Sequence, residues 1–140
     1  MSDGIVVDDA VKQALKEALA RPQKFNTLFC RISEDFSKIV LESSGTMTYD
    51  EVLAQLPANE TRYVIHEFAY RTRDNASKTD FVLLSWHPET ANIKSKMVLA
   101  STLTAFKAEL GFHKVLEADN LEEASRSAIE QHVGAASSGS

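Results

Sequence analysis

One segment, residues 81–111, constrains the fold of this chain more than any other. It opens with an apolar run that ends at Trp86, breaks at His87-Pro88, and resumes with apolar residues at helical spacing as far as Gly111. An apolar run, a proline and a helical pattern in that order predict a strand, a tight connection and a long helix. The rest of the chain must provide a sheet for that strand and a surface for that helix.

The predicted helix has two contrasting faces. At about 100° per residue, large apolar side chains share one side, which we expect to be buried: Leu99, Leu103, Phe106 and Leu110. The opposite side carries one methionine followed by small residues: Met97, Ser101, Thr104 and Ala108. Exposed helix faces usually carry long charged side chains, so a face of small residues indicates a surface against which another molecule can lie closely.

Two lysines, Lys94 and Lys96, stand at the start of this helix. The helix macrodipole disfavours a cation there by about 0.3–1 kcal/mol. Both lysines could simply be solvated, because surface charges contribute little to stability. They flank Met97, however, and an apolar side chain between two cations suits an acidic partner surface with a hydrophobic pocket.

The run from Trp86 to Met97, followed by Ala100-Ser101, resembles the signature of the actin-depolymerising factor (ADF)/cofilin family. It matches the pattern Trp-x-Pro-acid-x-Ala-x-aliphatic-base-x-Lys-Met ahead of a long helix. The similarity covers three further stretches: residues 4–7, residues 56–59 and the last helix around Glu130. The resemblance therefore spans nearly the whole chain.

The resemblance implies an α/β (α+β) fold, a single ADF-homology domain with a central mixed five- to six-stranded sheet flanked by helices on both faces. The order of the predicted elements indicates the same architecture. With 140 residues, the chain has the length of one domain and can bury a core. We expect a flexible tail over residues 1–7, the domain over residues 8–134, and a disordered low-complexity tail over residues 135–140.

Local signals predict the remaining elements. Asp8 and Asp9 are N-cap candidates for a first helix, and Asn120 with Glu123 would cap a final one. Apolar runs, polar loops and a capping box predict the others: a hairpin of residues 25–32 and 36–41, a short helix from Thr48 to about Gln55, a strand over residues 62–70, a polar loop over residues 71–78 and a strand over residues 113–118.

Composition and motifs argue against several classes of function. A net charge of -5 does not suit nucleic-acid binding or stable membrane association. The five glycines never cluster into a phosphate loop, no histidine has a partner at metal-ligand spacing, and the single cysteine, Cys30, lies in an apolar run. We expect no enzymatic activity, metal or cofactor. Without a signal peptide or a long apolar segment, we expect a cytoplasmic protein on the actin cytoskeleton, and a monomer.

The resemblance implies that actin is the partner, as monomer and as filament, and that the long helix inserts into the cleft between two actin subdomains. In this picture Met97 enters the cleft, and Lys94 and Lys96 meet its acidic rims. The implied monomer-binding residues lie in the N-terminal tail and on the helix: Ser2, Asp3, Gly4, Ile5, Lys94, Lys96, Met97, Ser101, Thr104 and Lys107. Such a protein binds the ADP state of actin preferentially and promotes depolymerisation.

The N-terminal tail departs from the family pattern. In the family, a serine immediately before the glycine is the site whose phosphorylation blocks actin binding. Here Asp3 precedes Gly4, and Ser2 lies one residue earlier. Either regulation has moved to Ser2, or the serine switch is absent and Asp3 acts as a permanent, partial negative charge.

The implied filament-binding surface has lost several charges. A projecting hairpin keeps one base at Lys78, but the second basic position falls on Asp80. On the last helix Glu130 matches the family's acid, whereas the basic positions fall on Gln131 and Gly134. Because peripheral charges control association rate and salt dependence, we predict weakened filament binding and severing.

Three alternatives remain open at this point. A coactosin-like protein would bind filaments without depolymerising them, although the Lys94-x-Lys96-Met97 run and the Gly4 tail favour the cofilin type. A phosphoinositide-binding adaptor would use the lysines of the long helix and Lys114, against the net negative charge. A small enzyme that shares the fold would need convergent polar groups, and the sequence indicates none.

Overall fold

A computed structural model describes residues 5–137 of the chain. Within that range the chain forms four helices: α1 (Asp9–Leu19), α2 (Tyr49–Gln55), α3 (Ile93–Leu110) and α4 (Arg126–Ser137). The same range forms six strands: β1 (Val6–Val7), β2 (Thr27–Ile32), β3 (Lys38–Gly45), β4 (Arg62–Arg71), β5 (Ser77–Trp86) and β6 (Val115–Ala118). The predicted element order is confirmed.

The described strands form one mixed sheet in the order β1-β3-β2-β4-β5-β6. The two outer pairs, β1 with β3 and β5 with β6, are parallel, and the inner pairs are antiparallel. Residues of β4 alternate between the faces: Tyr63 and Ile65 point to one side, and Val64 and Phe68 to the other. The prediction of a mixed sheet with helices on both faces is confirmed.

Each face of the sheet has its own hydrophobic core. The α1–α3 core contains Val11 of α1 and Leu99 and Phe106 of α3, packed on the first face. The α2–α4 core contains Val52 of α2 and Ile129 of α4 on the second face. Complete burial of one such side chain contributes about 1.5–3 kcal/mol, so the two cores anchor the two helical layers independently.

Regular secondary structure reaches into both segments that the sequence assigned to tails. Val6 and Val7, assigned to a flexible tail, form β1 beside β3, and the Val6 amide donates to the Ser37 carbonyl at 3.0 Å. At the other end, α4 continues to Ser137, into the segment predicted to be disordered. Backbone hydrogen bonds, which composition does not reveal, order these residues.

The capping signals were only partly correct. Thr48 and Glu51 form the predicted capping box of α2, whereas the side chain of Asp8 makes no cap hydrogen bond at the start of α1. The β4–β5 hairpin is slightly longer than predicted, because its strands include residues 71, 77 and 78 of the expected polar loop and leave residues 72–76 as the turn.

Candidate functional site

The start of α3 is fixed against the loop that follows α2. The indole Nε1 of Trp86 donates to the Pro57 carbonyl at 2.8 Å, and the Thr90 hydroxyl donates to the Ala58 carbonyl at 3.2 Å. Asn92 then caps the helix, since its side-chain oxygen accepts from the Ser95 amide at 3.1 Å. These bonds hold the first turn of α3 in one orientation at the surface.

The inner side of α3 contains a polar contact that the sequence did not reveal. Leu99 and Phe106 are buried as predicted, but Thr102 is also buried, with 3% of its surface exposed. The Tyr63 hydroxyl donates to the Leu99 carbonyl and lies 2.9 Å from the Thr102 hydroxyl oxygen. Burial raises the pKa of Tyr63, so the phenol remains a neutral donor that ties α3 to the sheet.

The outer side of α3 is the exposed face of small residues that the sequence predicted. Met97 is 65% exposed, and Ser101, Thr104 and Ala108 are exposed along the same side. Ile93, one turn before Met97, is 71% exposed, and sequence analysis missed it because helical spacing was counted only from Met97. Ile93 and Met97 line one depression of about 400 Å³ with His87, Lys96, Ala100 and Glu117.

Both lysines at the start of α3 are held by neutral groups. The Lys96 ammonium donates to the Glu89 carbonyl at 2.9 Å. The Lys94 ammonium lies 4.6 Å from the centre of the Phe36 ring. No carboxylate of residues 5–133 forms an ion pair with either. Lys107, the remaining predicted base, is half-buried in the last turn of α3.

The predicted N-terminal contact residues fall mostly outside the described part of the chain. Ser2, Asp3 and Gly4 lie outside it. Ile5 is half-buried and packs against the α1–α3 core. The structure thus places Ile5 in the layer that contains α3.

A second surface combines the β4–β5 hairpin with α4. A groove of about 810 Å³ brings the predicted residues Lys78 and Glu130 together, beside Arg71 and Arg126. Arg126 lies 3.8 Å from Glu130 and also faces the Phe68 ring. Sequence analysis missed Arg71 and Arg126, since it counted only positions that match the family pattern. Arg71 adds positive charge to this surface, whereas Arg126 is paired with Glu130 and also with Asp50 at 3.7 Å.

Asp80, at a position where the family pattern has a base, is paired within the chain. Its carboxylate accepts from the Lys114 ammonium at 2.7 Å and from the Tyr70 hydroxyl. Burial alone would raise the pKa of Asp80, but the hydrogen bonds from Lys114 and Tyr70 outweigh it and hold that pKa below its usual value. The position still lacks a base, and its negative charge is compensated. Gln131, one of the two altered basic positions on α4, is exposed.

The described residues contain no group of three His, Cys, Asp or Glu side chains that could hold a metal ion. Cys30 is buried, and burial raises the pKa of its thiol to about 12, so it remains protonated at neutral pH. His66 is buried too, with its Nδ1 2.7 Å from the Thr27 hydroxyl. Over residues 5–137, no helix has both the length and the apolar character needed to cross a membrane.

Comparison with known proteins identifies the family. A family profile described as cofilin/tropomyosin-type actin-binding protein matches residues 4–134. Actin-depolymerizing factor from Lilium longiflorum is 34% identical over 131 residues, which cover 91% of this chain and 94% of that protein. These matches confirm the resemblance seen in the sequence.

Solved structures agree with this fold. The ADF-like UNC-60A protein of Caenorhabditis elegans superposes with a TM-score of 0.81 at 20% identity, covering 100% of both chains. Coactosin from Entamoeba histolytica superposes with a TM-score of 0.78 at 18% identity, covering 94% of this chain and 96% of that one. These two likenesses show the fold alone, whereas the profile and the Lilium sequence show the family. The chain belongs to the ADF/cofilin family of actin-binding proteins.

Proposed function

We propose that this chain binds actin monomers through the exposed face of α3 and promotes the depolymerisation and turnover of actin filaments. The family description and the name of the Lilium relative support this activity. One observation carries the proposal: Met97 is 65% exposed beside two lysines, and no carboxylate of residues 5–133 pairs with them.

The physical role of each part of the face follows from its chemistry. The small side chains Ser101, Thr104 and Ala108 let the helix backbone come close to the walls of a cleft. Met97 and Ile93 supply apolar surface that a hydrophobic pocket would bury, and the two lysines supply attraction to an acidic rim. A preference for ADP-actin, with binding to one filament conformation better than another, would shift filaments toward that conformation and favour monomer loss.

Combined replacement of Lys94 and Lys96 by alanine tests this proposal. Because both side chains are at the surface and neither pairs with a carboxylate of residues 5–133, we expect an unchanged thermal midpoint. Affinity for ADP-actin monomers, measured through inhibition of nucleotide exchange, should fall about tenfold or more. Lys16→Ala, which removes an exposed lysine of α1, is the matched control and should bind normally. Unchanged affinity of the Lys94/Lys96 variant would rule out this surface.

Filament binding and severing are proposed to be weaker than in relatives that carry the full set of bases. Asp80 with Lys114 presents a compensated pair where the family has a base, and Gln131 is neutral. Lys78 and Arg71 around the groove retain part of the attraction. Filament affinity should therefore be reduced but not abolished, with a shallower salt dependence than in relatives that carry the full set of bases. Stoichiometric cosedimentation with filaments at physiological salt would contradict this part of the proposal.

A coactosin-like activity is the main alternative, and the fold does not separate the two, because coactosin shares it. Pyrene-actin disassembly does separate them. Accelerated filament loss on adding the protein supports depolymerisation, whereas filament binding with no change in the rate of loss supports the alternative. Flotation with phosphoinositide-containing liposomes, with and without actin, tests whether acidic lipids compete for the lysines of α3.

A further inference from the structure

The turn between β2 and β3 lies beside the start of α3. Phe36, in this turn, contributes to a groove of about 370 Å³ whose other wall includes Asn92 and Ser95 at the helix start. On the same side of the helix start, the Lys94 ammonium lies 4.6 Å from the centre of the Phe36 ring. This distance is typical of a cation–π interaction. Residues far apart in the sequence thus meet at the surface proposed to bind actin.

The turn holds Phe36 in a backbone conformation that phenylalanine rarely adopts. Its φ is 62°, in the left-handed region, which is unfavourable for a bulky side chain. The neighbouring Asp35 carboxylate fixes the turn by accepting from the Ser33 hydroxyl at 2.7 Å and from the Ser37 amide at 3.1 Å. The ring itself packs against the α1–α3 core. The surrounding structure therefore dictates where this ring lies.

An aromatic ring holds a cation differently from a carboxylate. The ring attracts the ammonium through its quadrupole and leaves the net charge unchanged, whereas a carboxylate would neutralise it. Two acids, Glu34 and Asp35, lie in the same turn, yet neither forms an ion pair with Lys94. Asp35 is occupied by its hydrogen bonds to Ser33 and Ser37. Lys94 is thereby kept in place with its positive charge available to a partner.

We infer that Phe36 is a positioning residue for Lys94: its ring holds the ammonium in place at the start of α3, ready to meet an acidic side chain of the protein that docks there. This inference rests on the proposed function of the α3 face. A lysine that is already ordered loses less conformational freedom on binding. Loss of the ring should therefore weaken binding about two- to fivefold, the amount expected for an exposed cation–π contact.

Phe36→Asn tests the inference without backbone strain, because asparagine tolerates the left-handed region that the turn requires. Loss of the ring's packing on the α1–α3 core should lower the thermal midpoint, and the Lys94→Ala background separates that effect from the contact with Lys94. Phe36→Tyr keeps the ring and is the conservative variant. Both are made with Lys94 present and with Lys94→Ala. The measurements are affinity for ADP-actin monomers at two salt concentrations, the thermal midpoint, and the NMR shift of the Lys94 ε-methylene, which the ring current displaces.

We expect Phe36→Asn to lose the ring-current shift and about two- to fivefold in affinity, with the salt dependence preserved because the charge remains. Phe36→Tyr should retain most of the affinity, and Phe36→Asn should cost nothing further once Lys94 is alanine. Normal affinity of Phe36→Asn would overturn the inference and leave the proposed role of Lys94 standing. An equal loss of affinity with Lys94 present and with Lys94→Ala would do the same. Normal affinity of Lys94→Ala would overturn the proposed role of Lys94 and the inference with it.

Discussion

Tyr63 and Thr102 share a buried hydrogen bond of 2.9 Å that connects the middle of the sheet to the middle of α3. The same phenol also donates to the Leu99 carbonyl, so one side chain of β4 contacts two successive parts of the helix. Because these contacts hold α3 on the sheet, the outer face of the helix can consist largely of small side chains.

Removal of the Tyr63 hydroxyl should therefore destabilise the protein. Tyr63→Phe leaves the Leu99 carbonyl and the Thr102 hydroxyl without this partner, and should lower the free energy of unfolding by about 1–3 kcal/mol. Thr102→Val removes only one of the two contacts and should cost less. Urea denaturation of both variants measures the difference. A larger loss for Thr102→Val would show that the phenol does not hold the helix.

Gly111 should tolerate asparagine better than alanine. It ends α3 in the left-handed conformation, with φ of 78°, and its amide donates to the Lys107 carbonyl at 2.9 Å. A Cβ at this position would meet no atom within 4 Å, so the cost of a substitution is conformational. We expect Gly111→Ala to lose about 1 kcal/mol of stability and Gly111→Asn to lose less, as measured by chemical denaturation. Equal losses would contradict this.

The free energy of unfolding should begin to fall at a pH above the range in which carboxylates titrate, because His66 is buried. Burial among Tyr49, Phe68 and Thr27 lowers the pKa of His66 from 6.5 to about 4. Since the unfolded state binds the proton more readily, the stabilisation is complete above about pH 6.5 and is lost as the pH falls toward about 4, by about 3 kcal/mol in total.

Urea unfolding at about pH 7.5 and about pH 5 should show about 2 kcal/mol of this loss. His66→Gln, which cannot titrate, should be less stable at neutral pH and should show a much smaller change between the two conditions. Equal stability of the wild-type protein at the two pH values would show that burial does not lower the pKa of His66.

Restoring a base on α4 should strengthen filament binding. Gln131 is exposed, so Gln131→Arg adds a charge without disturbing the core. Filament affinity in cosedimentation should rise about two- to tenfold, with a steeper salt dependence and unchanged monomer affinity. Gln13→Arg, at an exposed position of α1, carries the same added charge as a control. An equal gain in both variants would show that net charge alone is responsible.

Periodicity was enough to orient α3. Leu99 and Phe106 are buried and Met97 is exposed, as helical spacing predicted. Periodicity did not predict that Thr102 is buried, because a hydroxyl residue in a helix is usually assigned to the surface. Its buried partner, Tyr63, lies 39 residues away in the sequence. A hydrogen bond between distant elements leaves no periodic signal.

Two other features have the same physical origin. The sequence shows the reversed charge at Asp80 but not its compensation, because Lys114 lies 34 residues further along the chain. At the last helix, the Asn120 side chain accepts from the Glu123 amide at 2.8 Å as a cap would, yet α4 begins only at Arg126. Ser125 accepts from the Ala128 amide at 3.1 Å and takes over the cap. A capping pattern identifies a turn but does not show whether that turn continues as a helix.

The sheet separates the two surfaces that this protein presents. The α1–α3 core supports the face around Met97, and the α2–α4 core supports the groove beside Lys78. A substitution that reshapes one layer need not reach the other, since the strands between them are shared but the packing is not. Substitutions in the layer proposed to bind filaments can therefore change filament affinity while the face proposed to bind monomers keeps its shape.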